Sequence, residues 1–445
     1  MSRFPFGSAA LALLVVALLS GLWLAEDPVG GRKATLTLWV FSKEHYENYQ
    51  NVLPAFLAKH PGVTVDVQLV SNNGLAARLQ AAMVAGVDVP DMCEIEITNA
   101  GTFFRGPLKE VGFLDLTDRI HRSGLWDQLV RARFAPYTKQ GRIFGLPHDV
   151  HPVALAYNRE AFERLGIQPD RIRTWDDFIA VGRRVTRTTG ANPRYLIELS
   201  DTSEGQLELL LFQRGGGFFD ANGHCTLDNE KAVETLAWYV PLVAGSRRIG
   251  NDLGGGQVLT QAVEQGYLLS LITPDWRSRT YENDIAHMSG KMALMPLPAV
   301  RQGGRRTSTW GGTMMGITKR CAHPDLAWEL AMQLYYSREK LADRYQKSNI
   351  LPPKRDLWND PAIQAPKAYW SGQRLGRIYS TLAPHVLPQY ASPFLELAKN
   401  KLSEALVACV QQYNASGDAG FKAFCRRRLK QSAEEVRRQM ARNPY

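Results

Sequence analysis

Cysteine is scarce in this sequence: there are five, at Cys93, Cys225, Cys321, Cys409 and Cys425. None falls in a zinc-finger spacing, and the odd count leaves at least one thiol unpaired in an oxidising compartment. Catalytic signatures are missing too. There is no Gly-x-Ser-x-Gly, no Walker lysine loop and no His-Glu-x-x-His. Residues 252–256 are Gly-rich but lack the Lys-Ser/Thr of a phosphate loop. The formal net charge of +10 would suit nucleic acid, a membrane surface or acidic ligands. No RNA-binding sheet motif or basic zipper accompanies that charge, so nucleic acid is not the expected partner. Internal repeats and low-complexity runs are absent, and nothing beyond the N-terminal region reads as a membrane span.

What is present describes a globular chain. With 445 residues, 45% apolar and 22% charged, it is too long for one ordinary core, and two or three lobes are expected. Arg3 precedes an apolar run from about residue 9 to 19 that continues weakly to Leu24. This is the layout of a secretory signal peptide, although Trp23 is bulky for a position just before cleavage after Ala25. An uncleaved anchor is the alternative. No cysteine follows the run, so a lipid tether is not expected. The expected division is a leader and linker over 1–32, followed by the exported bulk. Cys93 lies in an apolar strand pattern and reads as a buried thiol. Cys409 and Cys425 flank a turn at 414–420 between two expected helices. An antiparallel hairpin would bring them face to face, as a bridge or as two unrelated core thiols.

Strands at 34–41, 63–70 and 92–97 alternate with helices at 45–59 and 74–85. This β-α-β-α-β order predicts an α/β protein with a parallel or mixed sheet. Its ligand loops would follow the strand ends, at 42–45 and 98–102. The run 141–178 carries the densest information. VALAY at 153–157 is a strand, and Asn158 is a natural cap for the helix that follows. Gly166 ends that helix, and Thr174 with Asp177 forms a capping box for the next. His148, Asp149 and His151 gather between Pro147 and Pro152 at the strand's lip, which points to binding. His148 and His151 stand at i, i+3 in an extended segment, where ligand contact or surface exposure is favoured over a metal. No metal or cofactor is expected. Farther on, the sequence predicts a hairpin at 218–227 around Asn222-Gly223, strands at 267–272, 292–298 and 313–318, and a mostly helical remainder.

Glu94 and Glu96 fall on one strand face, and paired carboxylates could serve glycoside chemistry. The aromatics are more suggestive. Trp39, Trp276 and Trp310 each sit at a strand end or the loop beside it. An aromatic plate covers the C–H face of a sugar, and polar groups bond its hydroxyl rim. Trp276 stands in the polar stretch TPDWR, and Gly311-Gly312 allows close backbone approach. Each of these residues has a plainer reading as core or turn.

Taken in order, LTLWVF, HPGVTVDVQ, VPDMCEIE, GRIFGLPHDVHPVALAYNREAFERLGI, RTWDDF, GYLLSLITPDW, MALMPLP, WGGTMMGITK and AHPDLAWELAMQLYYS resemble an extracellular solute-binding protein of ABC importers, in the carbohydrate-binding group that includes maltose-binding protein. The resemblance covers nearly everything after about residue 33. It implies a two-lobed periplasmic-binding-protein fold with a hinged interlobe cleft. By analogy the first lobe takes 33–150 and 311–350, and the second 151–310 and 351–445. It also implies an exported, monomeric, non-enzymatic protein whose partners are a sugar or oligosaccharide and the transmembrane subunits of an ABC permease. The ligand positions carried over are Ser42, Lys43 and Glu44 after the first strand, then Glu96, Thr98 and Asn99. Asp149 and His151 follow at the crossing, then Trp276, Trp310, Gly311 and Gly312, with Tyr390 or Phe394 as a late aromatic. The Arg-rich loop with Arg301, Arg305 and Arg306 departs from a plain sugar binder and favours an anionic sugar such as a uronate. The alternatives are the same fold holding a polyamine, phosphate ester or metal complex, or a carbohydrate-active enzyme using the Glu94–Glu96 pair.

Overall fold

The computed structural model describes residues 34–190 and 192–442. The expected leader lies outside them. Two sheets organise the chain. A five-stranded sheet holds Leu36–Val40 at its heart, parallel to Val65–Leu69 on one side and to Met92–Glu96 on the other. Thr313–Ile317 then pairs antiparallel to Met92–Glu96, and the short strand Leu146–Pro147 closes the far edge. The sheet is therefore mixed. The second sheet has three antiparallel strands, with Val153–Asn158 between Ser270–Pro274 and Met292–Pro296.

Local chemistry sets the elements where it is strong. Every residue of Val153–Asn158 is buried, as a central strand covered on both faces requires. Asn158 caps the helix Arg159–Arg164 by accepting from the Ala161 N–H at 2.9 Å. Thr174 and Asp177 form the reciprocal capping box of Trp175–Val185. Gly166 takes a left-handed φ of 63° behind the first of these helices. The expected hairpin at 218–227 is reduced to a single bridge, Phe219 to Cys225, because the Asp220 side chain accepts from Asn222 and His224 and draws the turn in on itself.

Each lobe closes its core with distant chain. Helix Pro324–Tyr336 packs Leu330, Ala331 and Tyr335 against the first sheet. The C-terminal helices Leu395–Ser416 and Phe421–Arg442 form a hairpin that buries Leu402, Leu406, Leu429 and Val436 in the second lobe. Cys409 and Cys425 meet inside that hairpin as free, buried thiols. Their mutual hydrogen bond, with burial, pushes the Cys409 thiol far up. Two arginines of the last helix are paired across to the same lobe: Arg426 meets Glu230, and Arg437 holds Asp228. Among the described residues no helix is long and apolar enough to cross a membrane.

Candidate functional site

Two antiparallel segments carry the chain between the sheets. His148 N–H donates to Thr313 O at 2.9 Å, Val153 N–H to Ser308 O at 3.2 Å, and Pro152 bridges Thr309. Charged groups are buried at this junction. Asp149 is enclosed, and its Oδ1 accepts from the Arg133 guanidinium at 2.9 Å while Oδ2 accepts from Thr313 N–H at 3.0 Å. His151 stands between two carboxylates, with Nε2 3.1 Å from Asp149 and Nδ1 2.6 Å from Asp275. Asp275 in turn accepts from Leu351 N–H at 2.8 Å. Burial opposes a charge on His151, but the two carboxylates outweigh it and raise its pKa to about 9. Burial likewise opposes ionised Asp149, and His151, His148 and Arg133 more than compensate, holding it well below the usual carboxylate range. His151 is thus a buried imidazolium tying the segments together, and its backbone takes a left-handed φ of 51° to reach both partners.

Beside this junction lies a cavity of about 270 Å³ between the lobes. The first lobe contributes Glu96 and Thr98, the linking segment Trp310 and Gly311, and the second lobe Trp276, Glu208 and Lys399. The two indoles stand edge to face, 6.3 Å apart at 71°, locked by Trp276 Nε1–H donating to Trp310 O at 3.0 Å. A second cavity of about 350 Å³ adjoins it, sharing Thr98, Glu208, Phe212 and Gln389, and Tyr390 lies on its wall. Glu96 caps the short helix Ile97–Ala100 by accepting from Thr98 N–H at 2.9 Å. Burial raises the Glu96 carboxyl against those bonds, and raises that of Glu208 to about 7 despite Lys399 beside it.

Six of the expected ligand residues therefore border the two cavities: Glu96, Thr98, Trp276, Trp310, Gly311 and Tyr390. The others do not. Trp39 is only 3% exposed, in the first-lobe core, with the Arg78 guanidinium 4.0 Å over its ring. Ser42 caps helix Lys43–Lys59 by accepting from His45 N–H. Lys43 and Glu44 are exposed on its first turn, with Lys43 paired to Glu47, and Asn99 lines neither cavity. Asp149 and His151 are spent on each other and on Arg133 and Asp275. Gly312 packs under Arg133, whose Nη2 lies 2.1 Å from where a Cβ would stand. Phe394 precedes helix Leu395–Ser416 and packs on the second-lobe core. Trp276 belongs to the first turn of helix Asp275–Asp284, not to a loop. Glu208, Gln389 and Lys399 escaped sequence reasoning; the one available signal was a lone carboxylate inside the apolar run GQLELLLFQ.

Two other expectations change. Glu94 is fully buried, accepting from Tyr335 OH at 2.8 Å and from Tyr49 OH, with His45 Nδ1 2.9 Å away, so it does not face Glu96 across a cleft. Donor atoms of His45, Glu94 and His148 lie within 4.8 Å of one another, a spacing that could hold a metal ion. The Arg344 guanidinium donates to His148 Nε2 at 2.6 Å, however, and places a buried positive charge against any cation there. The Arg-rich loop lines neither of these cavities, but a further one that meets the larger at Gly215 and Leu387. Arg305 donates to Gln213 O and Arg306 to Leu297 O and Ile172 O, which pins the loop to the second lobe.

Comparison with known proteins agrees with this architecture. The sequence is 26% identical to the arabinooligosaccharide-binding protein of Bacillus subtilis (strain 168) over 373 residues, 83% of this chain and 84% of the relative. It is 26% identical to the lactose-binding protein of Rhizobium radiobacter over 338 residues, 72% of this chain and 74% of the relative. Among solved structures, the sugar-binding protein MalE from the phytopathogen Xanthomonas citri superposes with a TM-score of 0.75 at 18% identity, covering 92% of this chain and 100% of that one. A cyclo/maltodextrin-binding protein complexed with maltotetraose gives a TM-score of 0.70 at 18% identity, covering 92% and 98%. The family model for bacterial extracellular solute-binding proteins matches residues 42–337, and this chain belongs to that family.

Proposed function

We propose that this protein is the substrate-binding component of an ABC importer, and that it captures a sugar or oligosaccharide between its lobes and delivers it to a membrane permease without covalent chemistry. The observation that carries this reading is the Trp276–Trp310 pair beside Glu96, Glu208 and Gln389 in one interlobe cavity. Indole faces cover the apolar side of a pyranose or furanose, and carboxylates and amides take its hydroxyls. The hinge junction lets the lobes close over the ligand. The names of the relatives support the same ligand class, and the family is extracytoplasmic. The leader at 1–32 would direct export, and the protein would act as a monomer. We draw the lobes at 33–150 and 311–337, and at 151–310 and 338–445. The second division moves from the expected 350 because Leu341 and Tyr345 pack with the second-lobe cluster.

Titration calorimetry against arabino-oligosaccharides, lactose and maltotetraose tests the proposal. At least one should bind, and Trp310→Ala should weaken it tenfold or more. Binding of no sugar, together with binding of an unrelated solute, would overturn it.

A further inference from the structure

We infer that the interlobe cleft selects saccharides bearing a protonated amine over their neutral and carboxylate-bearing counterparts, with Glu96 and Glu208 as the selecting residues. This rests on the saccharide reading above and names the charge class of that ligand.

The chain carries a net charge of +10, and a cavity that meets the larger interlobe cavity at Gly215 and Leu387 is lined by Arg214, Lys231, Arg301 and Arg305, yet the smaller cavity beside the two indoles is lined by two carboxylates and one lysine. Among the described residues, the charged groups lining the smaller cavity are Glu96, Glu208 and Lys399; the adjoining cavity adds Asp220. No arginine borders either. Lys399 is not free to meet an anion, because its ammonium lies 3.4 Å from both Glu204 and Glu208. Arg277 stands over the Trp310 ring at 5.4 Å and 3.9 Å from Glu198, outside the cavity lining. A further acceptor is uncommitted: Gln389 Oε1 is buried and has no hydrogen-bond partner. The walls thus offer acceptors and negative charge. A carboxylate entering the smaller cavity would meet like charge in a partly desolvated site; Gln389 can accept from a hydroxyl or an ammonium alike, and it is Glu96 and Glu208 that favour the ammonium.

The balance of charge around Glu208 supports this. It is faced by Glu204 on its own helix, Lys399 on the C-terminal hairpin and Glu96 from the opposite lobe. Burial, with those two carboxylates, outweighs the lysine and leaves Glu208 partly protonated at neutral pH, with a pKa of about 7. A bound cation favours the ionised form and expels that proton.

The test is calorimetry on two sets of matched probes: cellobiose, the glucosamine β-1,4 dimer and cellobiouronate; then lactose, lactosamine and lactobionate. In at least one set the amine should bind tenfold or more tighter than the neutral sugar, and the acid weakest. The preference should be read at pH 6, where the probe amines are charged, and should shrink above pH 8 as they lose their own proton; amine binding at pH 6, where Glu208 still holds its proton, should release protons, seen as an enthalpy that varies with buffer. Glu208→Gln and, separately, Glu96→Gln should shrink the amine-to-neutral ratio, and Glu208→Gln should abolish the proton release. The ratio within each variant is the readout, so a general loss of affinity does not mimic the result. Neutral or acidic probes binding as tightly as amines would overturn the inference and leave the saccharide reading intact. Binding of none of the six would also overturn it, and the broader sugar panel then decides the parent reading.

Discussion

His151→Asn removes the imidazolium at the junction while keeping a residue that tolerates left-handed backbone. The linkage can be worked through. The folded pKa is about 9 against an ordinary value of 6.5, so the proton is held more tightly in the folded state. The stability this contributes is complete below the unfolded pKa and is lost as pH rises through the folded one. It amounts to about 2–3 kcal/mol at pH 7 and falls below about 1 kcal/mol at pH 9. Urea unfolding of wild type and variant at several pH values reads the difference directly. The variant should be less stable by about 2–3 kcal/mol or more at pH 7, since it also leaves Asp149 and Asp275 short of a partner. The gap should narrow by about 2 kcal/mol by pH 9 as the wild type loses its advantage. A gap that stays constant across that range would refute the buried imidazolium, whatever its size.

Two further outcomes follow from packing. Glu94→Gln replaces the charged acceptor shared by Tyr49 and Tyr335 with a neutral one and turns an NH2 group or the lone oxygen toward His45, and unfolding should show a loss of about 1–3 kcal/mol with sugar affinity little changed. Gly312→Ala drives a Cβ into Arg133 Nη2 and displaces it from Asp149, so calorimetric melting should reveal a loss of about 3 kcal/mol and a lowered Tm.

The sequence made legible those features whose causes are local. The Thr174–Asp177 box, the Asn158 cap and the buried run at 153–157 each depend on residues within one or two turns, and each lies where it was expected. Trp276 is expected at a strand end or in the loop beside it, whereas the strand runs on to Pro274, which is itself the N-cap of helix Asp275–Asp284. The polar cluster at 148–151 was visible, but its partners were not. Arg133, Asp275 and Arg344 reach it from three other elements, and that convergence turns residues expected to meet ligand into the frame that holds the lobes. Lys399 and Gln389 illustrate the same gap: on a helix or loop far along the chain, a polar residue turned toward a cavity has the same spacing as one turned toward water.

The strand order carries a consequence for biogenesis. Glu96 waits for Thr313 before its strand gains its second neighbour, and the core around Leu402 waits for the last helix to supply Leu429 and Val436. Neither lobe can complete its core until chain synthesised much later has arrived. Such long sequence separations slow folding. Under the proposed export, that delay would keep the chain threadable until its far end is made.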